Sequence, residues 1–369
     1  MNQTLIILLT KRLKMAEADL NEKHIIYIGR ELKSIDGGAV VSKRNVEILR
    51  EISGGKIIEF YLSDKTILGK LINIVACKPW GYSSDVHSDI KNSILLNEVS
   101  FVFIDHSLLG AFAYILKKLN VTIVVFFHNI EIKYYRDKVL VDGFLNNLMV
   151  RYARNQEKLI TKYADKVICL TNVDSDLLQS IYGRKADLIL PITIVDRFIP
   201  SAKLENTESY HLFVGSSFFA NIDAINWYVE NVLPSVSSKL VIIGNGMEVL
   251  NKQYKRHLKI EIKGFVDDLE PFYSNADFVI NPVRLGSGMK TKTIEALMYG
   301  KTVIGTSEAF VGMEDIENKG VGYVCGSSGN FISCINNYHH GKFNQCSRAY
   351  YLNSFSADIG YQKLNDFLS

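Results

Sequence analysis

A chain of 369 residues is longer than one ordinary hydrophobic core and suits two α/β domains. Its net charge of +3 is too small for a nucleic-acid footprint and no reading motif accompanies it, so nucleic acid is not an expected partner. No apolar run approaches the roughly 18 residues of a membrane helix, MNQTLIILLT lacks the features of a signal peptide, and five scattered cysteines read as reduced thiols, so a cytoplasmic protein is expected.

In chain order, strands are expected at residues 24–29, 57–61, 101–104, 121–127, 166–170 and 187–190. Helices are expected between them at 40–52, 67–76, 86–96, 108–119 and 174–182, with a long helical region ending at 163 and an irregular basic stretch directly after His128. Residues 194–210 lose periodicity and become polar, which marks a link. A second alternation follows, with strands at 211–214, 240–243, 260–262, 278–281, 302–304 and 322–325, and the chain ends in a helix at 357–368. Strands alternating with helices imply two parallel sheets, each covered on both faces. Ligands of such sheets bind beyond the carboxyl ends of the strands.

The segment FVINPVRLGSGMKTKTIEALMYGKTVIGTSEAFVGM, from Phe278 to Met313, carries the most chemistry. An apolar strand stops at Pro282, Gly286 and Gly288 allow a tight turn, and Ile294, Leu297 and Met298 fall at helical spacing from about Lys290. N–H groups of Gly288, Met289 and Lys290 at a helix start, beside a lysine, suit a diphosphate. Glu295 lies about one turn further on, where a carboxylate can accept hydrogen bonds from two vicinal ribose hydroxyls. The competing reading is a solvated Glu295 paired with Lys292.

This segment resembles the donor site of the retaining glycosyltransferases of family 4, which have the GT-B fold. Four further pieces agree in order: FFHNIE (Phe126 to Glu131), HLFVGSSFFANIDAINWYVENVLP (His211 to Pro234), LVIIGNGME (Leu240 to Glu248) and IKGFVDDLEPFYSNAD (Ile262 to Asp277). The resemblance implies an α/β GT-B architecture of two Rossmann-like domains facing across a cleft. It implies an acceptor-binding domain at 1–200, a nucleotide-sugar domain at 201–355 and a final helix at 356–369 that crosses back. The implied activity is that of a nucleotide-sugar-dependent hexosyltransferase acting with retention, with His128, Lys290 and Glu295 as catalytic residues. Donor contacts carry over to Gly38, Gly215, Ser216, Ser217, Phe265, Val266, Arg284, Ser287, Gly288, Met289 and Thr291. Asn129 and Glu131 become acceptor-side neighbours. Gly37 and Gly38 also read as a simple turn before a helix.

Two departures from the family matter. SSFFAN after the first strand of the second domain has Asn221 and no cation, so Lys290 or Arg284 is expected to supply the charge. Counting back eight positions from Glu295 gives Ser287 where the family has a first glutamate. No cofactor and no metal is expected, since Asp174 and Asp176 sit at a helix start where capping accounts for them. The rival classes are a non-catalytic nucleotide-sugar-binding subunit and a nucleotide-sugar epimerase.

The first 200 residues hold 27 Lys and Arg against 22 Asp and Glu, concentrated in KYYRDK (Lys133 to Lys138) and LMVRYARNQEKLITKY (Leu148 to Tyr163). Such a surface is either an ordinary solvated face or a peripheral contact with anionic membrane on its inner face. The partners expected are a nucleotide sugar and a glycan or lipid-linked saccharide, in the assembly of capsule or O-antigen.

Overall fold

The computed structural model describes residues 23–31, 37–63, 66–142, 147–200, 209–286, 288–339 and 341–369. The chain forms two compact units, Met1–Pro191 together with Gly360–Ser369, and Ile192–Ile359. The first unit holds β1 (His24–Arg30), β2 (Ile57–Leu62), β3 (Val99–Asp105), β4 (Thr122–Phe127), β5 (Lys166–Cys169) and β6 (Leu188–Ile189), in sheet order β2-β1-β3-β4-β5-β6. The second holds β7 (Tyr210–Val214), β8 (Lys239–Ile243), β9 (Ile260–Lys263), β10 (Phe278–Asn281), β11 (Val303–Gly305) and β12 (Gly322–Val324), in order β12-β11-β10-β7-β8-β9. Every pairing is parallel. This is the doubly wound α/β fold expected, and the twelve strands lie within two residues of their expected ends.

The near-continuous apolar strands follow from this topology, because a parallel sheet is covered on both faces. Ile25, Ile26, Tyr27 and Ile28 of β1 are all sealed from solvent, as are Val102, Phe103 and Ile104 of β3. The direction in which successive strands are added to the sheet reverses between β1 and β3 in one sheet and between β7 and β10 in the other. Connections diverge at such switch points and leave a crevice beyond the strand ends. Gly29, Asp105 and Phe126 stand level there in the first unit, because Gly29 pairs with Asp105 and Asp105 with Phe126.

One element differs from expectation. The stretch after His128 is a helix, Glu131–Asp142, rather than irregular chain. Its start is capped from a distance: the N–H groups of Glu131 and Ile132 donate to the Glu157 carboxylate at 2.6 and 3.3 Å. Nothing local to residues 128–131 announces that cap, which is why sequence periodicity missed it.

The helix that carries Glu157, Asn147–Tyr163, packs closely on helix Gly110–Lys117. Contact is so close that a Cβ on Gly110 falls 1.8 Å from the carbonyl oxygen of Gln156. Gln156 also bridges neighbours, accepting from the Ala111 N–H at 2.9 Å and donating to the Cys77 carbonyl at 2.9 Å. The last helix, Ala357–Leu368, brings the chain back to the first unit, where the Lys166 ammonium donates to the Phe367 carbonyl at 2.7 Å.

Gly110→Ala is therefore expected to lower stability by about 1–3 kcal/mol through overpacking. Urea denaturation followed by circular dichroism measures it; an unchanged midpoint would show that the two helices separate freely.

Candidate functional site

At the switch point of the first unit, the loop after β1, the end of β3 and the end of β4 enclose a pocket of about 410 Å³. Its lining includes Arg30, Gly38, Ser42, Trp80, His106, His128, Asn129 and Glu131. The expected residues Gly38, His128, Asn129 and Glu131 thus come together. His128 is buried, with Nε2 2.9 Å from Asp105 Oδ1, while its buried Nδ1 has no hydrogen-bond partner among the described residues. One ring nitrogen is fixed and the other is left without a hydrogen bond among these residues.

Asp105 is the residue behind that arrangement. Its carboxylate accepts from the Tyr27 hydroxyl at 2.6 Å and from the Asn45 side-chain amide at 2.9 Å, besides meeting His128. Burial pushes the Asp105 carboxyl upward, but His128 and the hydrogen bonds from His128, Tyr27 and Ser42 outweigh it and hold it well below the usual carboxylate range. Asn45 is in turn gripped by the Arg44 guanidinium at 2.8 and 3.1 Å, and Arg44 reaches the Pro191 carbonyl at 2.5 Å.

The Glu131 carboxyl lines the same pocket. Burial and the neighbouring Glu157 raise the Glu131 carboxyl to about 8. Glu157, though also raised by burial, accepts hydrogen bonds from two backbone N–H groups, Tyr182 and Ser107, so the charge of this pair resides on Glu157 and the proton on Glu131. His106 stacks on His128 with ring centroids 5.5 Å apart, and its Nε2 lies 3.6 Å from Glu131. Burial, Arg30 and His128 keep His106 neutral by lowering it well below its ordinary value.

The second unit has its own cluster at the β7/β10 switch point. Gly215 to Ser217 leave β7, and helix Thr291–Met298 follows β10 after the turn in which Gly286 and Gly288 have φ of 119° and 70°. Those values are open to glycine and strained for other residues. Lys290 is the N-cap residue, and its ammonium donates to the Gly288 carbonyl at 2.8 Å and to Glu308 at 2.6 Å. Met289 is buried and Thr291 half-buried, whereas Ser287 lies outside the described residues.

Lys292 supplies the cation that the Gly215 loop lacks in sequence. Its ammonium donates to the Asn221 side-chain oxygen, Asn221 donates to the Ser216 carbonyl at 2.8 Å, and a Cβ on Gly215 would stand 3.2 Å from the lysine nitrogen. The ammonium also lies 4.6 Å from the Phe213 ring centroid. Burial and the charge of Lys290 push Lys292 down to about 7. Arg284 is directed elsewhere, to Asp223 at 3.0 Å and over the Trp227 ring.

Glu295 is half-buried and accepts from the Tyr273 hydroxyl at 3.0 Å, so it is neither solvated nor paired with Lys292. Burial raises its carboxyl, against the opposing effects of Tyr273 and Arg197. Its remaining lone pairs can still receive hydroxyl donors. Phe265 is exposed and Val266 half-buried in the loop after β9, where the Gly244 N–H donates to the Gly264 carbonyl at 3.1 Å.

Sequence reasoning missed Asp105, His106, Glu157 and the placement of Lys292. The signal for the first two was present, since VSFVFIDH ends an apolar strand on ionisable residues as FFH does. Lys292 follows from helix geometry, because side chains lean toward the helix N-terminus and a lysine in the first turn reaches past it.

Residues 208–338, which lie in the second unit, match the family described as glycosyl transferases group 1. A chain from Klebsiella pneumoniae described as an uncharacterized 44.6 kDa protein in the cps region is 28% identical over 110 residues; the match covers 26% of this chain and 28% of that one. Among solved structures, Anabaena Alr3699/HepE in complex with UDP is similar with a TM-score of 0.67 at 13% identity, covering 94% of this chain and 99% of that one. WaaG, a glycosyltransferase involved in lipopolysaccharide biosynthesis, is similar with a TM-score of 0.60 at 14% identity, covering 94% and 99%. A glycosyltransferase from Rickettsia africae gives 0.60 at 15% identity, covering 94% and 98%. At these identities the likeness establishes the fold, which is GT-B.

The raised Glu131 carboxyl carries a signed consequence. Its folded value of about 8 exceeds the ordinary 4.5, so its contribution to stability is complete below pH 4.5 and is lost as pH rises toward 8. Glu131→Gln is expected to retain, at pH 8, stability on the order of a few kcal/mol that the parent loses between pH 5 and pH 8. Urea midpoints at the two pH values measure this, and parallel pH profiles for both proteins would show that Glu131 is ionised in the folded chain.

Proposed function

We propose that the protein is a retaining glycosyltransferase that moves a hexose from a nucleotide-diphosphate donor to a glycan or lipid-linked saccharide in the assembly of bacterial surface polysaccharide. The observation that carries this reading is the group 1 match at residues 208–338, which contains Gly215 on the loop after β7 and Lys290, Lys292 and Glu295 at and within the helix after β10, at one switch point. In this reading the diphosphate lies against the N–H groups at the start of helix Thr291–Met298, with Lys292 and Lys290 providing positive charge. Glu295, oriented by Tyr273, receives the ribose hydroxyls. The HepE structures contain UDP, UDP with glucose, or UDP-glucose, which favours uridine as the base here.

His128 and Glu131 form the acceptor-side chemistry of the proposal. Unpartnered His128 Nδ1 can hold a sugar hydroxyl, and protonated Glu131 can donate to another. As the glycosidic bond breaks, charge grows on the leaving diphosphate. The preorganised N–H groups and lysines then stabilise the transition state more than the bound donor. These groups take the place that a metal ion would otherwise fill, so the reaction proposed needs no metal. A capsule or O-antigen product and a peripheral location on the inner membrane face complete the reading.

A thermal-shift panel of nucleotide sugars, run in excess EDTA, tests it. One uridine-diphosphate sugar is expected to raise the melting temperature and then to serve as donor in transfer. Glu295→Ala is expected to weaken its use by about ten- to a hundredfold, the worth of a hydrogen bond to a charged group. No shift with any nucleotide sugar would remove the donor assignment, and activity restored only by magnesium would remove the metal-free mechanism.

Lys292 gives a pH signature. With a free-state value of about 7 it is largely neutral at pH 8, and a bound diphosphate restores the ammonium, so binding takes up a proton. Nucleotide-sugar affinity is expected to fall as pH rises from 7 to 9, approaching tenfold per unit while free Lys292 is neutral and the bound form charged. The diphosphate diester itself does not titrate there. Lys292→Met should flatten the profile in isothermal titration; an unchanged slope would place the diphosphate elsewhere.

A further inference from the structure

Two cations of the first unit, Arg30 at the end of β1 and Lys70 in helix Ile67–Val75, are held on one aromatic ring. The Arg30 guanidinium carbon lies 3.9 Å and the Lys70 ammonium 4.3 Å from the centroid of the Trp80 ring. All three side chains are half-buried, and they line one cavity of about 260 Å³. The ring itself is anchored. Trp80 packs on the core of the first sheet and on the cluster of Ile74, Leu108, Tyr152 and Ala153. The chain just before it is tied down as well, because the Tyr152 hydroxyl donates to the Lys78 carbonyl at 3.0 Å and Gln156 holds the Cys77 carbonyl.

Half-buried cations are ordinarily paired with carboxylates or carbonyls, and these two are not. Among the described residues neither side chain has a hydrogen bond or an ion pair. Attraction to a ring face positions a cation while leaving its N–H donors unspent, and a guanidinium keeps a planar fork that matches a carboxylate. The one acidic side chain among the described lining residues, Glu31, is exposed. Two cations against one carboxylate leave an excess of one positive charge, which a singly charged anion balances and a dianion overshoots. The cavity adjoins the His128 pocket, since Arg30, Glu31 and Trp80 line both. The Arg30 charge acts on Glu131 and His106, so the guanidinium stands close to the inner wall of that pocket.

We propose that the acceptor is an acidic saccharide, and that the carboxylate of a hexuronic acid unit binds Arg30 and Lys70 on the Trp80 ring while its hydroxyls enter the His128 pocket. This rests on the reading that the acceptor occupies that pocket, and it adds a charge requirement to it. A carboxylate would spend the N–H donors that the ring leaves open, in charge-assisted hydrogen bonds. The sugar hydroxyls have their own partner in the unpartnered His128 Nδ1. The diphosphate of a lipid-linked acceptor is the poorer occupant, because Glu31 repels its second charge.

Trp80 is one of two tryptophans, so Trp227→Phe, which keeps an aromatic ring beside Arg284, leaves Trp80 as the sole indole reporter. In that full-length background and without nucleotide, sodium glucuronate is expected to change the emission saturably, whereas methyl glucoside at equal concentration and ionic strength leaves it unchanged. Calorimetric titration measures the same affinity without relying on the indole. Lys70→Met should weaken glucuronate binding roughly tenfold or more, and Lys70→Arg should keep it. Urea midpoints confirm that both variants are folded. No saturable heat with glucuronate, or equal affinity for the neutral glucoside, would overturn the assignment. So would geranyl diphosphate binding in place of glucuronate and losing that binding in Lys70→Met, since the anion would then be a lipid carrier's diphosphate. The titration needs no donor: glucuronate binding beside an unresponsive nucleotide-sugar panel would leave this acid-sugar site standing and remove the donor assignment, and the converse would remove the acidic acceptor alone.

Discussion

Asp105 is sealed from solvent and remains ionised, and the groups that make this tolerable come from three separate elements: Tyr27 from β1, Ser42 and Asn45 from helix Gly37–Ile52, and His128 from the end of β4. A buried charge held this way cannot shift without leaving one of its partners unsatisfied. It thereby fixes the carboxyl ends of three strands against the helix that covers them. The pocket around His128 inherits its shape from that constraint, and the chain through Asn45 and Arg44 extends it to the Pro191 carbonyl, where the first continuous stretch of this unit ends. Tyr27, whose hydroxyl is pushed far up by burial and Asp105, stays a donor throughout.

The second unit solves a different problem, that of keeping cations out of water. Lys292 and Lys301 are both pushed down to about 7, chiefly by burial. Lys301 spends all three of its N–H donors on the carbonyls of Ser274, Ala276 and Lys342, which ties three loops together and leaves no capacity for a ligand. Lys292 is held by one amide oxygen and an aromatic face beside a glycine loop. Equal displacement of the two pKa values therefore marks one lysine whose three donors are all spent on carbonyls and one held by a single amide oxygen and an aromatic ring. Geometry separates them where titration does not. His211 makes the same point, being pushed down to about 3 by burial and enclosed by Ser238 and Tyr228 with no ligand-facing edge.

Much of the fold was legible because parallel sheets write themselves as apolar runs. FVFI, TIVVFF and LVII admit few other structures when turns and helices of the right length separate them. The glycine turn before Lys290 and the histidine at the end of β4 were legible for the same reason, since both stand at strand ends. What escaped the sequence were relations between distant residues. The cap that Glu157 provides for helix Glu131–Asp142 spans 26 positions, and Asp105 reaches Tyr27 across 78. Spacing on a helix offers Lys292 only as a competing partner for Glu295; the glycine loop that claims it comes from 77 residues upstream, a proximity that the pairing of β7 with β10 creates.

The first unit is built from two separated stretches of chain, and this bears on the order in which the protein can be completed during synthesis. Residues 192–359 are contiguous and have all left the ribosome before Gly360–Ser369 do. Leu368 and Ser369 line a cavity with Lys23, Phe101, Thr122 and Lys166 at the amino ends of β1, β3, β4 and β5. That contact consequently waits until the entire second unit has been translated, although the strand residues were made first. Domains ordinarily mature from the N-terminus onward; here Gly360–Ser369, which follow the second unit in the chain, contribute to the earlier one. A stalled or clipped chain lacking them would present an intact second unit beside an unfinished first one, with its strand ends open to proteases and chaperones.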